Sequence, residues 1–280
     1  MSLDPHDTES ARLHLPRILC LHGGGTNATI FSMQCRVLRR HLRPHFRLVF
    51  AEGPFSTRPG SDVISVYAKH GPFKAWLRTW PEDPWRSAED ITVHIEKAIS
   101  AAMNADDMRG ATGPWAGLLG FSQGAKVAAS LLYLQQIRRQ TSSTTISGSE
   151  FRFAVLVAGR GPLVWLQAGQ ETPPGLVDAC QLSTLTREAL FSPRLAAPMI
   201  NTPTIHVHGL RDPGLPLHRK FLAQHFNPHS CALLEWDGGH RMAIKTADVV
   251  PVVEGILAMA RATGTLPHAP CYISDQSESC

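Results

Sequence analysis

Apolar positions along this chain fall into short continuous runs and helical stripes that take turns. Arg17-Ile18-Leu19-Cys20-Leu21 is a compact apolar run that stops at His22-Gly23-Gly24-Gly25, which predicts a buried strand and a glycine loop. Ile30, Phe31, Val37, Leu38 and Leu42 then share one helical face, with Arg36, Arg39, Arg40 and Arg43 mostly off it. Phe46 to Ala51 reads as a second strand. Ile91, Ile95, Ala98, Ile99 and Ala102 mark an amphipathic helix, and Trp115 to Gly120 a buried strand. An amphipathic helix carrying Val127, Leu131 and Leu134 is predicted to begin after Ser122. Phe151 to Ala158, Thr204 to His208 and Cys231 to Trp236 read as three more strands. A last helix carries Val249, Val253, Ile256, Leu257 and Ala260.

Two stretches break this rhythm. Residues 52–87 hold five prolines with glycines and aromatics and read as one long irregular segment near a site entrance. Residues 159–200, with Pro162, Pro173, Pro174, Pro193 and Pro198, read as irregular or helical. Gln140 to Glu150, rich in Ser and Thr, is a predicted loop, and residues 1–15 and 264–280 are predicted loose tails. Strands alternating with helices over nearly the whole chain predict an α/β fold, a mostly parallel central sheet with helices on both faces and irregular, lid-like insertions. With no internal repeat and no linker, residues 1–280 are expected to form a single domain with its core at about residues 16–262.

Composition narrows the function. At 43% hydrophobic and 18% charged, the chain can bury a sizeable core without disulfides or metals. Its net charge of +4 lacks the basic stripe expected of a nucleic-acid binder. No apolar stretch approaches the roughly 18 residues that would span a bilayer, so no membrane partner is expected. The first sixteen residues carry no apolar segment of a secretory leader, and the Asn27-Ala28-Thr29 sequon has little weight without one. Cys20, Cys35, Cys180, Cys231, Cys271 and Cys280 form no CxxC pair and have no histidines at zinc spacing. Cys20 and Cys231 read as small core residues, and the pattern fits a reducing, cytoplasmic setting.

The chemistry concentrates in Leu118-Leu119-Gly120-Phe121-Ser122-Gln123-Gly124, a G-x-S-x-G run between an apolar strand and a helix. That context belongs to the strand-to-helix turn of the α/β-hydrolase fold, in which a serine is lifted above the sheet end in strained geometry. Bulk on either side would clash, and Gly120 and Gly124 remove it. A serine hydroxyl needs a base, and this fold places an acid and then a histidine after the serine. His240, in Asp237-Gly238-Gly239-His240, follows a strand and precedes the last helix, where the base belongs. His206 and His208 lie in a strand, and His218, His225 and His229 on or near a surface helix. Asp212 follows the strand Thr204–His208 and can orient the imidazole. The plain alternative is a turn aspartate before proline, and Asp178 and Asp237 are weaker candidates for the acid. Two backbone N–H groups would complete an oxyanion hole, that of Gln123 and that of Gly24 in the loop after the first strand. Neither a G-x-x-x-x-G-K nor a G-x-G-x-x-G phosphate loop is present.

LCLHGGGTNATIF, GLLGFSQGAKVAASLL, PTIHVHGLRDPGLP and WDGGHRMA resemble the serine hydrolases common in fungi and often called the FSH family, over residues of about 16 to 260. The resemblance implies an α/β-hydrolase with Ser122, Asp212 and His240 as its triad. It further implies a thioesterase that frees a polyketide from the acyl-carrier domain of its synthase, or a general short-chain carboxylesterase. Pro213-Gly214-Leu215-Pro216 and Arg241-Met242-Ala243 depart from the family's usual pattern near the acid and the base. Acyl transfer of this kind calls for no cofactor and no metal. Phe55, Phe73, Trp76, Trp80, Trp85 and Trp165 lie in the irregular segments. Of these, Phe73, Trp76, Trp80 and Trp165 are the expected walls of an apolar acyl pocket, with lid core as the alternative. Arg36, Arg39, Arg40, Arg43, Lys69, Lys74 and Arg78 could meet an acidic carrier domain. A non-catalytic ligand-binding protein on the same fold is the third reading.

Overall fold

A computed structural model describes residues 10–141, 150–181 and 198–268. Its centre is a six-stranded, all-parallel sheet. The strands are β1 (Arg17–Leu21), β2 (Arg47–Ala51), β5 (Trp115–Phe121), β6 (Phe153–Val157), β9 (Thr204–Gly209) and β10 (Cys231–Trp236), in the spatial order β10-β9-β6-β5-β1-β2. The intervening labels belong to two-residue pairs, β3 (Phe55–Ser56) with β4 (Lys74–Ala75), and β7 (Val164–Trp165) with β8 (Val177–Asp178). The helices are α1 (Ala28–Gln34), α2 (Arg36–Leu42), α3 (Ser61–Tyr67), α4 (Ala88–Asp107), α5 (Gln123–Gln140), α6 (Leu215–His225) and α7 (Thr246–Ala262).

The two-residue period of a strand sends alternate side chains to opposite faces. Leu19 and Leu21 of β1 join the layer of α4 and α5 with Ile95, Ile99, Val127 and Leu131. Ile18 and Cys20 join the layer of α1, α2 and α7 with Phe31, Leu38, Val253 and Ile256. Both faces are covered, which is why the inner strands read as unbroken apolar runs. Cys20 is fully buried and burial pushes its thiol well up, whereas Cys231, at the start of the outermost strand, is only half-buried.

Local signals account for the helix starts. Asn27 caps α1 by accepting the Ile30 N–H at 2.8 Å, and its amide donates to the carbonyls of His70 and Pro72. Ser87 caps α4, with Glu89 and Asp90 in the first turn. The helix after Ser122 differs from expectation. It is buried on nearly every side through Gln135 rather than amphipathic, because it runs beneath the irregular segments as well as against the sheet. Residues 52–87 are also more ordered than expected: they contain α3 and a 3₁₀ turn at Ala68–His70. Most of the predicted loop from Gln140 to Glu150, part of 159–200 and the tail past 268 lie outside the described residues.

At the amino ends of β1 and β2 the fold buries charge. Arg47 Nη2 meets Asp106 Oδ1 at 2.6 Å, Arg17 Nη1 lies 3.5 Å from Asp106 Oδ2, and Arg17 also pairs with Asp107. The Arg17 guanidinium lies 4.1 Å above the Trp115 ring. Asp106→Ala would leave two buried guanidinium groups without their shared carboxylate, and removing one partner of such a set costs about 3–5 kcal/mol. Urea unfolding should show a loss of that size; unchanged stability would mean that Asp107 alone suffices for both arginines.

Candidate active site

The loops that meet at the carboxyl edge of β1, β5, β9 and β10 form one site. Strand β2 pairs on one side of β1 and β5 on the other, so the strand order reverses between β1 and β5, the crevice where open α/β sheets bind ligands. Ser122 sits in that turn with φ 53° and ψ −111°, a left-handed conformation that is costly for a residue with a side chain. The turn is tight enough to require glycine twice. A Cβ on Gly124 would lie 2.0 Å from the Leu21 carbonyl oxygen, and one on Gly120 would lie 2.5 Å from Ala125 Cα.

His240 follows β10 and places Nε2 3.0 Å from Ser122 Oγ. Its Nδ1 lies 2.7 Å from Asp212 Oδ2. Asp212, three residues past β9, is buried and also accepts the Gly214 N–H on Oδ1 at 2.7 Å. The structure therefore brings together three side chains that stand 28 and 118 residues apart. Hydroxyl, imidazole and carboxylate in line can move a proton from oxygen to nitrogen while the carboxylate offsets the charge that appears. Burial pushes the Asp212 carboxyl up, but hydrogen bonds from His218 and His240, the charge of His240 and the Gly214 amide outweigh it, so the group is held well below the usual carboxylate range.

Gln123 directly follows Ser122 and Gly24 lines the same cleft as Ser122, and neither backbone N–H has a hydrogen-bond partner among the described residues. The loop carrying Gly24 is braced from below. His22 is fully buried, accepts the Gly53 N–H at 2.8 Å and lies against Trp76. Trp76 Nε1 donates to the His22 carbonyl at 3.0 Å. The Gln123 side chain accepts the N–H groups of Trp76 and Leu77 and donates to the Leu77 carbonyl and Thr79 Oγ1. One glutamine thus fixes the segment 76–79 to the first turn of α5.

A cleft of about 560 Å³ opens above Ser122 and His240. Val63, Val66 and Tyr67 of α3, with Trp80, Met242 and Ile244, give it apolar walls, and Arg36 and Arg241 stand on its rim. Of the four aromatics expected to wall an acyl pocket, Trp80 does line this cleft. Phe73 is half-buried elsewhere, and Trp76 and Trp165 are packed in the core. They face inward because the loops bearing them need apolar anchors of their own.

The sequence also concealed His218. Rather than lying on a surface helix, it is fully buried, with Nε2 2.9 Å from Asp212 Oδ2. Its spacing with Phe221 and His225, at i, i+3 and i+7, carries the signal of a buried helical face. Asp212, His218 and His240 place their ligand-type atoms within 4.8 Å of one another. In this arrangement those atoms are engaged with each other: both imidazoles point a nitrogen at the same carboxylate oxygen.

Fold and site together define a serine hydrolase built on the α/β-hydrolase fold. A sequence profile of the serine hydrolase (FSH1) family matches residues 12–251, and the chain belongs to that family. It is 57% identical over 260 residues to the esterase dbaE of Emericella nidulans, covering 91% of this chain and 94% of that one. It is 51% identical over 264 residues to the esterase pigG of Monascus ruber, covering 92% and 96%. Among solved structures, acyl-protein thioesterase 2 of Zea mays shares the fold at a TM-score of 0.50 and 17% identity, over 88% of this chain and 94% of that one. Among the described residues no helix is long and apolar enough to cross a membrane.

Two more buried histidines give the fold a pH dependence. Burial first, and His208 second, push His206 down to about 3. Burial first, then the charge of His218, push His208 down to about 4. The unfolded chain takes up a proton at each below about pH 6.5, while the native chain does not until the lower values are reached. Stability is therefore full above pH 6.5 and falls as pH drops toward 4, by up to about 1.4 kcal/mol per pH unit for each histidine. Urea unfolding from pH 7 to 4.5 should show this slope, and His206→Leu should flatten it whatever it does to absolute stability. An unchanged slope would show that His206 does not carry the linkage.

Proposed function

We propose that Ser122 is an acyl-accepting nucleophile, His240 its general base, Asp212 the orienting acid, and the Gly24 and Gln123 N–H groups the oxyanion hole. The observation that carries this reading is the unbroken hydrogen-bonded line from Ser122 Oγ through His240 to buried Asp212. Ser122 attacks an ester or thioester carbonyl while His240 Nε2 takes its proton. The negative charge that develops on the carbonyl oxygen meets the two unpaired amides and the amino end of α5. His240 returns the proton to the departing alcohol or thiol. Water, deprotonated by the same nitrogen, then frees the acid.

The substrate is an acyl thioester, a polyketide carried on the acyl-carrier domain of its synthase. The apolar cleft wall of Val63, Val66, Trp80 and Ile244 suits a long hydrophobic acyl chain, and two of these four, Val66 and Ile244, are exposed to receive it. Arg36 and Arg241, exposed on the rim, suit the phosphate of a carrier's pantetheine arm and the acidic surface behind it. A second reading, hydrolysis of small free esters, is supported by the two relatives described above, both esterases. Comparing kcat/KM on a carrier-bound acyl thioester with that on a p-nitrophenyl ester decides between them: the first reading expects the carrier-bound substrate to be preferred at least tenfold, and to lose the preference in an Arg36→Ala, Arg241→Ala double variant.

Ser122→Ala should abolish labelling by a fluorophosphonate probe and leave thermal unfolding close to wild type; labelling that persists would reject the nucleophile. His240→Ala should lower turnover by roughly 10⁴- to 10⁶-fold, by analogy with other triads. A loss under tenfold would mean that another group is the base.

A further inference from the structure

Two imidazoles share one carboxylate oxygen in this site, and only one of them reaches the hydroxyl. We propose that His218 is a positioning residue carried as an imidazolium, which neutralises Asp212 and so keeps His240 free of a proton at lower pH than Asp212 alone would allow. The inference rests on reading His240 as the base.

The hydrogen bonds select the charge. His218 Nε2 lies 2.9 Å from Asp212 Oδ2, and Nδ1 lies 3.0 Å from the carbonyl oxygen of Gly159. A carboxylate and a carbonyl oxygen only accept, and a neutral imidazole carries a single N–H. A neutral ring would hold one nitrogen lone pair against an oxygen lone pair at hydrogen-bond distance. Turning the ring over would face carbons to both oxygens and leave both short of a donor. His218 is fully buried, so solvent offers no relief. The protonated ring satisfies both oxygens at once.

The same geometry carries the effect to His240. The two rings lie nearly parallel, 21° apart in plane, with centroids 5.9 Å from each other. A second positive charge on His240 would stack face to face with the first. The groups facing His218 come from four elements. Asp212 lies after β9 and Arg160 after β6, with Nη2 3.9 Å from Asp212 Oδ1. His208 lies in β9, its ring 5.7 Å away. His240 follows β10. On its own helix, Arg219 is turned to the surface and paired with Glu235. His208, pushed down to about 4, adds no competing charge near neutrality. Among the described residues Asp212 is the anion that touches His218, and it is met at longer range by Arg160, while Glu235, which acts on His208 from β10, is paired with Arg219. With its negative charge offset, it can orient His240 through Nδ1 while favouring the imidazolium of His240 less strongly.

His240 must be neutral to take a proton, so activity rises as pH passes upward through its titration. Removing the charge at 218 raises the pH of that rise. The acid limb of kcat/KM for p-nitrophenyl butyrate is measured in wild type, His218→Asn and His218→Gln, over pH at which circular dichroism shows each protein folded. The limb should move up by about one pH unit, so the deficit is about tenfold larger below the limb than above it. A deficit equal at every pH, with the limb unmoved, would make His218 merely structural and overturn the proposal. Ring ¹⁵N spectroscopy of the native protein near pH 8 decides without a folded variant. One histidine should show both ring nitrogens protonated, and should still do so in His240→Ala. A bare nitrogen on every histidine would overturn the proposal. Should His240→Ala keep wild-type labelling by fluorophosphonate, the reading of His240 as the base fails, and the ¹⁵N signature still reports the charge on His218 by itself.

Discussion

The turn between β5 and α5 is the constraint on which the rest of the site depends. Ser122 is held in the left-handed region at a cost of about 1–3 kcal/mol for a residue with a side chain. What opposes that cost is visible around it. The Ser122 N–H donates to the Val157 carbonyl at 2.8 Å, its carbonyl accepts from Ala125 and Lys126, and the helix that follows is buried on nearly every side. The turn can close this tightly only because α5 approaches the end of β1 at Gly124, where a methyl group would meet the Leu21 carbonyl. Bringing α5 against β1 in turn sets the distance between Gln123 and the Gly24 loop. Backbone strain and helix packing at this turn are one structural event.

Charge is managed around that turn by burial in pairs. Asp212 is placed where a lone carboxylate would be expensive, and hydrogen bonds from two imidazoles and an amide hold it ionised. His206 and His208, a few ångströms further in, are kept neutral instead. The opposite end of the sheet solves the same problem with Arg17, Arg47 and Asp106. Charged groups gather at the two ends of the inner strands, with apolar layers between them.

Much of this was legible in the chain. The strands announce themselves because both of their faces are covered, and apolar runs such as Ile18 to Leu21 have no other use. Gly120, Ser122 and Gly124 carry their message in spacing, since the clash they avoid is local. His240 and Asp212 could be ranked from their places after strands. What stayed hidden depends on contacts across the fold. Helix α3 has only seven residues and buries none of them, so its short stripe of Val63, Val66 and Tyr67 faces the cleft instead of a core and is too brief to stand out among the prolines and glycines around it. Trp76 and Trp165 share the composition of a pocket wall, yet each anchors its own loop in the core. The side chain of Gln123 acts through residues 76–79, over forty positions earlier, and nothing nearby in sequence hints at that partner. His218 had a helical-face signal that its polarity masked.

The central claim is that one hydroxyl, made reactive by its turn and its imidazole, becomes the acyl carrier. Mass-spectrometric peptide mapping after a brief reaction with an activated acyl ester, quenched in acid, tests this most directly. A single stoichiometric acyl adduct is expected on the peptide that contains Ser122, released at neutral pH with the kinetics of turnover. An adduct on a different residue, or steady hydrolysis with no acylated peptide at any time, would contradict it.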